Sequence, residues 1–199
     1  MRTLRGSTIV ESGCSDPDRN IFYSKSSDGR TYVMRQPRRR DSGEQRKAWK
    51  KVSPAGRSRY IRHNIHIDLA EQLYNMNPRC RIPLYRGESP GVLPLTVELE
   101  GKTVGFCDMF FNDGEYFSRF QVSPEDKCAN GSIVALDHLR GLGIGTYYSA
   151  TSNAIAKHFD CQWILGRTLN KGGMRQIRIK DGWEAIATDG TWIDHRKRL

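Results

Sequence analysis

No apolar run in this chain of 199 residues approaches the roughly 20 residues that a helix needs to cross a bilayer. Nor do Met1 to Cys14, with Arg2 and Arg5 among them, contain the apolar segment of a secretory signal. These absences point to a soluble, cytoplasmic protein. Cysteine is scarce. Cys14, Cys80, Cys107, Cys128 and Cys161 are odd in number and include no C-x-x-C pair, which speaks against a disulfide framework or a zinc ribbon and leaves reduced, mostly buried thiols. Acidic residues are outnumbered 22 to 32, and the imbalance is local. Ten cations, among them Arg38, Arg39, Arg40, Lys50 and Lys51, lie between Gln36 and Arg62 against only Asp41 and Glu44. That is a net +8 out of +10 for the whole chain. Residues 36–62 thus carry the footprint of a segment that contacts nucleic acid or another polyanion, with Trp49 offering a ring for base stacking. The plainer alternative is a solvated arm. No apolar helical face accompanies the charge, so a membrane surface is not expected.

Residues 1–19 are polar and aperiodic and read as a loose arm. Ile21-Phe22-Tyr23 and Thr31-Tyr32-Val33-Met34 flank Asp28-Gly29, the signature of a small β-hairpin. Pro37 opens the basic segment, which has Gly43, Pro54 and Gly56 and reads as a linker. From Tyr60 the pattern changes. Ile61, Ile65 and Ile67 alternate as in a strand, and Asp68 and Glu71 form a capping box for a short helix ending by Pro78. His63 and His66 would face opposite sides of that strand, so no metal site is expected there. Leu95–Leu99 turns through Glu100-Gly101-Lys102 into Thr103–Phe106. A second pair is expected from Tyr116–Val122 and Ser132–Leu136. Ile144, Tyr148, Thr151, Ile155 and Phe159 recur at helical spacing, and Gln162–Leu165 is a short apolar strand. A helix around Met174 and Ile177 closes at Gly182, and Trp183–Trp192 is a hairpin around Asp189-Gly190. The expected fold class is α/β, with a mixed, largely antiparallel central sheet flanked by helices.

Arg140-Gly141-Leu142-Gly143-Ile144-Gly145 lies between a strand and that amphipathic helix. A glycine-rich strand-to-helix turn is a phosphate site, because the backbone can approach closely and the first N–H groups and the helix dipole point at the ligand. A Walker A loop would need Gly-Lys-Ser/Thr where Thr146-Tyr147 follow Gly145. A dinucleotide fingerprint would need a glycine where Thr146 stands and an acid about 20 residues on. The remaining alternatives are a turn that binds nothing and the loop of the GNAT superfamily, Arg/Gln-x-x-Gly-x-Gly/Ala, which Arg140–Gly145 resembles at every fixed position.

The loop, the Val97–Phe106 hairpin before it and the Asn170–Trp183 helix after it resemble the GNAT superfamily of N-acetyltransferases, over roughly residues 60–195. The expected division is therefore an N-terminal arm with a small hairpin (1–35), a basic linker (36–58) and a GNAT-like acyl-CoA-binding domain (59–199). The resemblance implies acetyl-CoA as cofactor. Its diphosphate would lie on Arg140, Gly141, Leu142, Gly143, Ile144, Gly145 and Thr146, and its pantetheine arm would pair along Ile133, Val134, Ala135 and Leu136, with Asn170 leading the far helix. It implies direct attack by an amine on the thioester, with catalysis by positioning, oxyanion stabilisation and proton removal. Many members carry a proton-donating tyrosine four residues before the closing glycine. Here that position is Arg178, a cation suited to a thiolate or to a surface pair. Asp137 and His138, at the strand end, are the candidate bases; their plainer reading is a capping residue and a solvent-facing one. Two functions remain open: an acetyltransferase acting on an unidentified amine, and a non-catalytic GNAT-like binding protein whose basic segment contacts nucleic acid or another partner.

Overall fold

The N-terminal residues form an edge strand, in place of the expected loose arm. In the computed structural model, which describes residues 8–37, 47–55, 84–139 and 143–199, β1 (Ile9–Asp16) pairs antiparallel with β2 (Ile21–Ser26). Only Ile9 and Cys14 of β1 pack on the core, so the strand is held by its backbone ladder, which polar side chains do not advertise. The Asp28-Gly29 turn, with Gly29 at φ 84°, joins β2 to β3 (Thr31–Arg35) as the hairpin signature requires.

β3 then pairs with β4 (Gly91–Leu99), so the N-terminal hairpin belongs to the main sheet. Glu100 and Gly101, at φ 50° and 73°, make the tight turn into β5 (Lys102–Asp113). The expected strand at Tyr116–Val122 is instead a run of turns and a 3-10 helix at Ser118–Phe120. Its aromatics, Phe117 and Phe120, serve as plugs against Phe110. β6 (Lys127–Ala135) follows, then helix α1 (Ile144–His158), β7 (Trp163–Leu169), helix α2 (Gly173–Lys180), β8 (Glu184–Thr188) and β9 (Trp192–Arg198). The nine strands of the described residues form one sheet in the order β1-β2-β3-β4-β5-β6-β7-β9-β8, and every pair is antiparallel except β6–β7. This is the mixed, largely antiparallel α/β architecture expected. The strand and helix expected at 60–78 lie outside the described residues.

Both faces of the sheet are buried in its central part. On one face α1 sets Tyr147, Tyr148 and Ile155 against Met34, Leu93, Leu95, Met109 and Ala129, with Tyr147 stacked on Tyr32 at 3.6 Å. On the other, a helical turn at 47–50 brings Trp49 edge-on to Phe106 at 5.5 Å, in a cluster with Val52, Val134 and Leu136. Trp49 is 8% exposed and is therefore a core residue, removed from the base-stacking role that its basic surroundings suggested. Trp49→Ala is expected to destabilise the fold by about 3–5 kcal/mol, as truncation of a buried tryptophan generally does, measured by urea denaturation. A loss below about 1 kcal/mol would show that the cluster does not bear on the fold. Lys47, Lys50 and Lys51 flank this turn, whereas Arg38, Arg39, Arg40, Arg46, Arg57, Arg59 and Arg62 lie outside the described residues.

Candidate active site

Strands β6 and β7 pair over only three residues each, Cys128–Asn130 with Trp163–Leu165. Beyond that point they take different partners. β6 stays with β5 through Ala135, and β7 stays with β9 through Leu169. The ladder between them ends, and a gap opens toward their C-terminal ends. Ile133, Val134, Ala135 and Leu136, expected to pair with a pantetheine arm, lie on the β6 side of this gap. The Leu136 N–H donates to the Val104 carbonyl at 3.0 Å on the opposite edge. A strand edge without a ladder partner can accept an extended ligand as an added strand.

β6 leads through a 3-10 turn at Asp137–Leu139 to the glycine loop. His138 is exposed there; the side chain of Asp137 and all of Arg140, Gly141 and Leu142 lie outside the described parts. Gly143 caps α1 at φ 80°, a left-handed conformation that glycine adopts without strain. The Thr146 N–H donates back to the Gly143 carbonyl at 2.9 Å, so Ile144, Gly145 and Thr146 form the first turn of a 15-residue helix that follows the C-terminal end of β6. Gly145 has another duty as well. A Cβ there would lie 2.6 Å from Met174 Sδ and 3.1 Å from Ile177 Cδ1, so this glycine lets α1 and α2 pack.

The inner end of the gap is lined by groups that the sequence did not bring together. Gly131 and Gly166 are the first residues of β6 and β7 beyond the last ladder pair, Asn130 with Leu165. A Cβ at Gly131 would run into the Tyr148 hydroxyl, and one at Gly166 would run into the Arg178 guanidinium. One glycine on each strand thus makes room for a phenol from α1 and a cation from α2. Next in the same row is His195 on β9, paired with Gly166 in the ladder. Its Nε2 is 2.9 Å from Thr168 Oγ1. Burial, with help from the charges of Arg178 and Arg175, pushes the His195 pKa down to about 4, so the ring is neutral near pH 7.

Arg178 is 3% exposed and stacks over Trp183 at 4.5 Å. Its Nε and Nη1 are buried without a hydrogen-bond partner, as is His195 Nδ1. No acid among the described residues pairs with it, and burial pushes its pKa down from 12.5 to about 10. A surface pair for Arg178 is therefore ruled out within the described residues. α2 is tied in place by Asp181, whose Oδ2 accepts from Ser149 (3.0 Å), Asn153 (2.9 Å) and Trp183 (3.0 Å). Burial alone would raise the Asp181 pKa, but these bonds and Lys197 outweigh it and hold the pKa low.

On the opposite face of the sheet, Ser132 Oγ donates to Asp108, a carboxylate 5% exposed on β5. Asn170, at the far end of β7, has its side chain engaged, donating to the Gly190 carbonyl (3.3 Å) and accepting from Arg175 (3.0 Å). Chemically, the described residues of the site combine a strand edge without a ladder partner among them, a helix N-terminus, a phenol, a buried cation with no counter-ion among them and a carboxylate on the far face. Among the described residues no group of three His, Cys, Asp or Glu side chains is placed to hold a metal ion, and no helix is long and apolar enough to cross a membrane.

Neither a protein-family model nor a curated protein matches the sequence. Solved structures do. The chain is similar to the GNAT domain of PAT from S. lividans, with a TM-score of 0.59 at 12% identity over 100% of both chains. It is also similar to RimJ of Mycobacterium smegmatis in complex with CoA-disulfide, at TM-score 0.52 and 17% identity over 85% of this chain and 82% of that one. A third likeness is to the aminoglycoside acetyltransferase AAC(6')-Ib in complex with coenzyme A, at TM-score 0.52 and 12% identity over 84% and 94%. At such identities the likeness carries the fold, and the fold is GNAT.

Proposed function

We propose that this chain, with its GNAT fold, is an acetyl-CoA-dependent N-acetyltransferase. The observation that carries the reading is the end of the β6–β7 ladder at Asn130 and Leu165, just beyond which Gly131 and Gly166 make room for the Tyr148 hydroxyl and for Arg178, whose guanidinium lacks a partner among the described residues. Diphosphate would rest on the amides of Gly143, Ile144 and Gly145 with Arg140, Gly141 and Leu142 completing the loop, the Thr146 N–H being taken by the Gly143 carbonyl, and the pantetheine arm would pair along Ile133–Leu136. The acyl thioester would then lie beside Gly131 and Gly166. Two features of this chain fit such a ligand. The space opened by the two glycines is one that side chains would close, and the orphaned guanidinium gains a partner only when negative charge forms next to it. Arg178 is assigned to stabilise the departing thiolate. The amine would enter from the face that carries Asp108, with His138 or Asp137 accepting its proton. Thiol release from acetyl-CoA in the presence of a panel of small amines, peptides and lysine-bearing proteins tests the reading. No release with any acceptor, in protein shown to bind acetyl-CoA, would favour the second reading.

That second reading is a non-catalytic GNAT-like protein that binds CoA and uses its basic segment to contact nucleic acid. Arg178 at the position of the family's tyrosine favours it. Its prediction is separable. If residues 36–62 bind nucleic acid through about six phosphate contacts, affinity should fall on the order of a thousandfold between roughly 50 and 200 mM salt. Replacing Arg38, Arg39, Arg40, Lys50 and Lys51 with glutamine should flatten that slope and leave acetyl-CoA binding intact. Fluorescence anisotropy on both proteins measures it; identical, weak binding would mark the segment as a solvated linker.

A further inference from the structure

We infer that the Tyr148 hydroxyl is the proton donor to the departing CoA thiolate, and that Arg178 holds the phenolate left behind. The inference rests on the acetyltransferase reading above and adds a residue to it. Tyr148 had read from the sequence as one more apolar position on a helix, and its ring is indeed in the core at 3% exposure. The position of its hydroxyl is the new observation. It lies against Gly131, where β6 parts from β7, and where a side chain would also meet Met109 Sδ at 2.6 Å and the Asp108 carbonyl at 3.2 Å. Among the described residues no hydrogen-bond partner takes this hydroxyl, so its proton is not committed elsewhere.

Three features make it a donor. Burial, with Cys107 and Asp108 on β5, holds the Tyr148 pKa well above the ordinary value, so the phenol keeps its proton near neutral pH but is by that alone a weaker acid, and its donation depends on the cation beside it. Arg178, one strand over at Gly166, is the one group acting in the opposite direction and stabilises the phenolate once the proton has gone. His195, beyond Arg178, is neutral and adds no second positive charge beside the guanidinium. The family's tyrosine position on α2 is filled here by Arg178. The phenol instead comes from α1, one turn past the Gly143 cap, so the helix that would receive the diphosphate also sets the proton donor at the thioester end.

In the step proposed, the neutral amine nitrogen attacks the thioester carbonyl carbon and a C–N bond forms. The C–S bond breaks and sulfur takes its electron pair. The Tyr148 O–H proton passes to sulfur, giving the free thiol. The proton lost from nitrogen passes to His138 or Asp137, the base assigned above, and Tyr148 is reprotonated from solvent after the products leave.

Tyr148→Phe keeps the ring and its packing and removes only the hydroxyl. With acetyl-CoA and an amine that the wild-type protein accepts, kcat is expected to fall about a hundredfold, with the calorimetric Kd for acetyl-CoA unchanged. With acetyl 4-nitrothiophenol as donor, whose thiolate departs without a proton, the variant is expected to match the wild type. An unchanged kcat with acetyl-CoA overturns the inference, and so does an equal loss with both donors, which would mark Tyr148 as structural. Should the variant fail to bind acetyl-CoA, Arg178→Lys decides. Retention of more than about a tenth of kcat supports a cation holding the phenolate, and full loss overturns it. A wild-type protein that turns over no acetyl-CoA overturns the acetyltransferase reading itself, and that result is seen before any variant is made.

Discussion

Arg178→Met is expected to make the unliganded protein more stable and the enzyme about a hundredfold slower. The two effects have one cause. A guanidinium shut away from water without a counter-ion is disfavoured, as its pKa, pushed down to about 10, records. A depression of that size corresponds to ~3 kcal/mol of unfavourable burial, against which the Trp183 stacking returns ~1 kcal/mol. Methionine fills a similar volume without the charge, so a gain of about 1–2 kcal/mol in unfolding free energy follows. Turnover falls because the cation is also what the developing thiolate and the Tyr148 phenolate would face. Acetyl-CoA binding should change little, since the thioester in the ground state is neutral. Thermal denaturation together with steady-state kinetics measures both effects. A less stable variant with unchanged kcat would make Arg178 a structural residue and remove it from the mechanism.

Gly143→Asp is expected to abolish acetyl-CoA binding, with loss of more than about a hundredfold in Kd, while the fold survives. The residue sits at φ 80° as the N-cap of α1, a conformation that aspartate tolerates at a cost of ~1 kcal/mol. The carboxylate would then occupy the helix end where diphosphate is expected, putting like charges together. Gly143→Ala carries the backbone strain without the charge and should bind within about tenfold of wild type. Gly145→Leu is the contrasting control. It strikes Met174 and Ile177 and should weaken α1–α2 packing before it affects any ligand. Calorimetric titration of the three variants separates the loop's roles, and retention of wild-type affinity in Gly143→Asp would remove diphosphate from this end of α1.

Much of the fold could be read from local chemistry. Asp28-Gly29, Glu100-Gly101 and Asp189-Gly190 mark three of the hairpin turns because positive φ needs particular residues. The stripe from Ile144 to Phe159 marks α1 because one face of a helix must meet a core. What escaped depended on partners far away in sequence. β1 was missed because an edge strand is held by its ladder, not by an apolar alternation. Tyr116–Val122 was misassigned because aromatic content suits strands, whereas here it fills a pocket beside Phe110. β7 runs on past Leu165 through Gly166-Arg167-Thr168, which reads as the end of a strand only because Gly166 lacks the side chain that Arg178 displaces.

The candidate site was legible in part for the same reason. The glycine loop is a local signal. The gap between β6 and β7 is a relation between two strands' other partners and leaves no mark in either. Gly131 and Gly166 could have been flagged, because glycine within a strand often marks a close approach. Nothing in the sequence, however, tells which atoms approach. Arg178 likewise reads as a cation suited to a thiolate or to a surface pair, and only its tertiary position makes it a buried cation without a partner among the described residues.

The most direct test of the central claim, that acetyl-CoA occupies the gap and the glycine loop, is thermal or chemical denaturation of the wild-type protein with and without acetyl-CoA. At a free concentration about a hundredfold above the dissociation constant, binding to the folded state alone stabilises it by about 2.7 kcal/mol. The account predicts that stabilisation, saturable and competed by CoA. An unchanged denaturation midpoint at millimolar acetyl-CoA would contradict it.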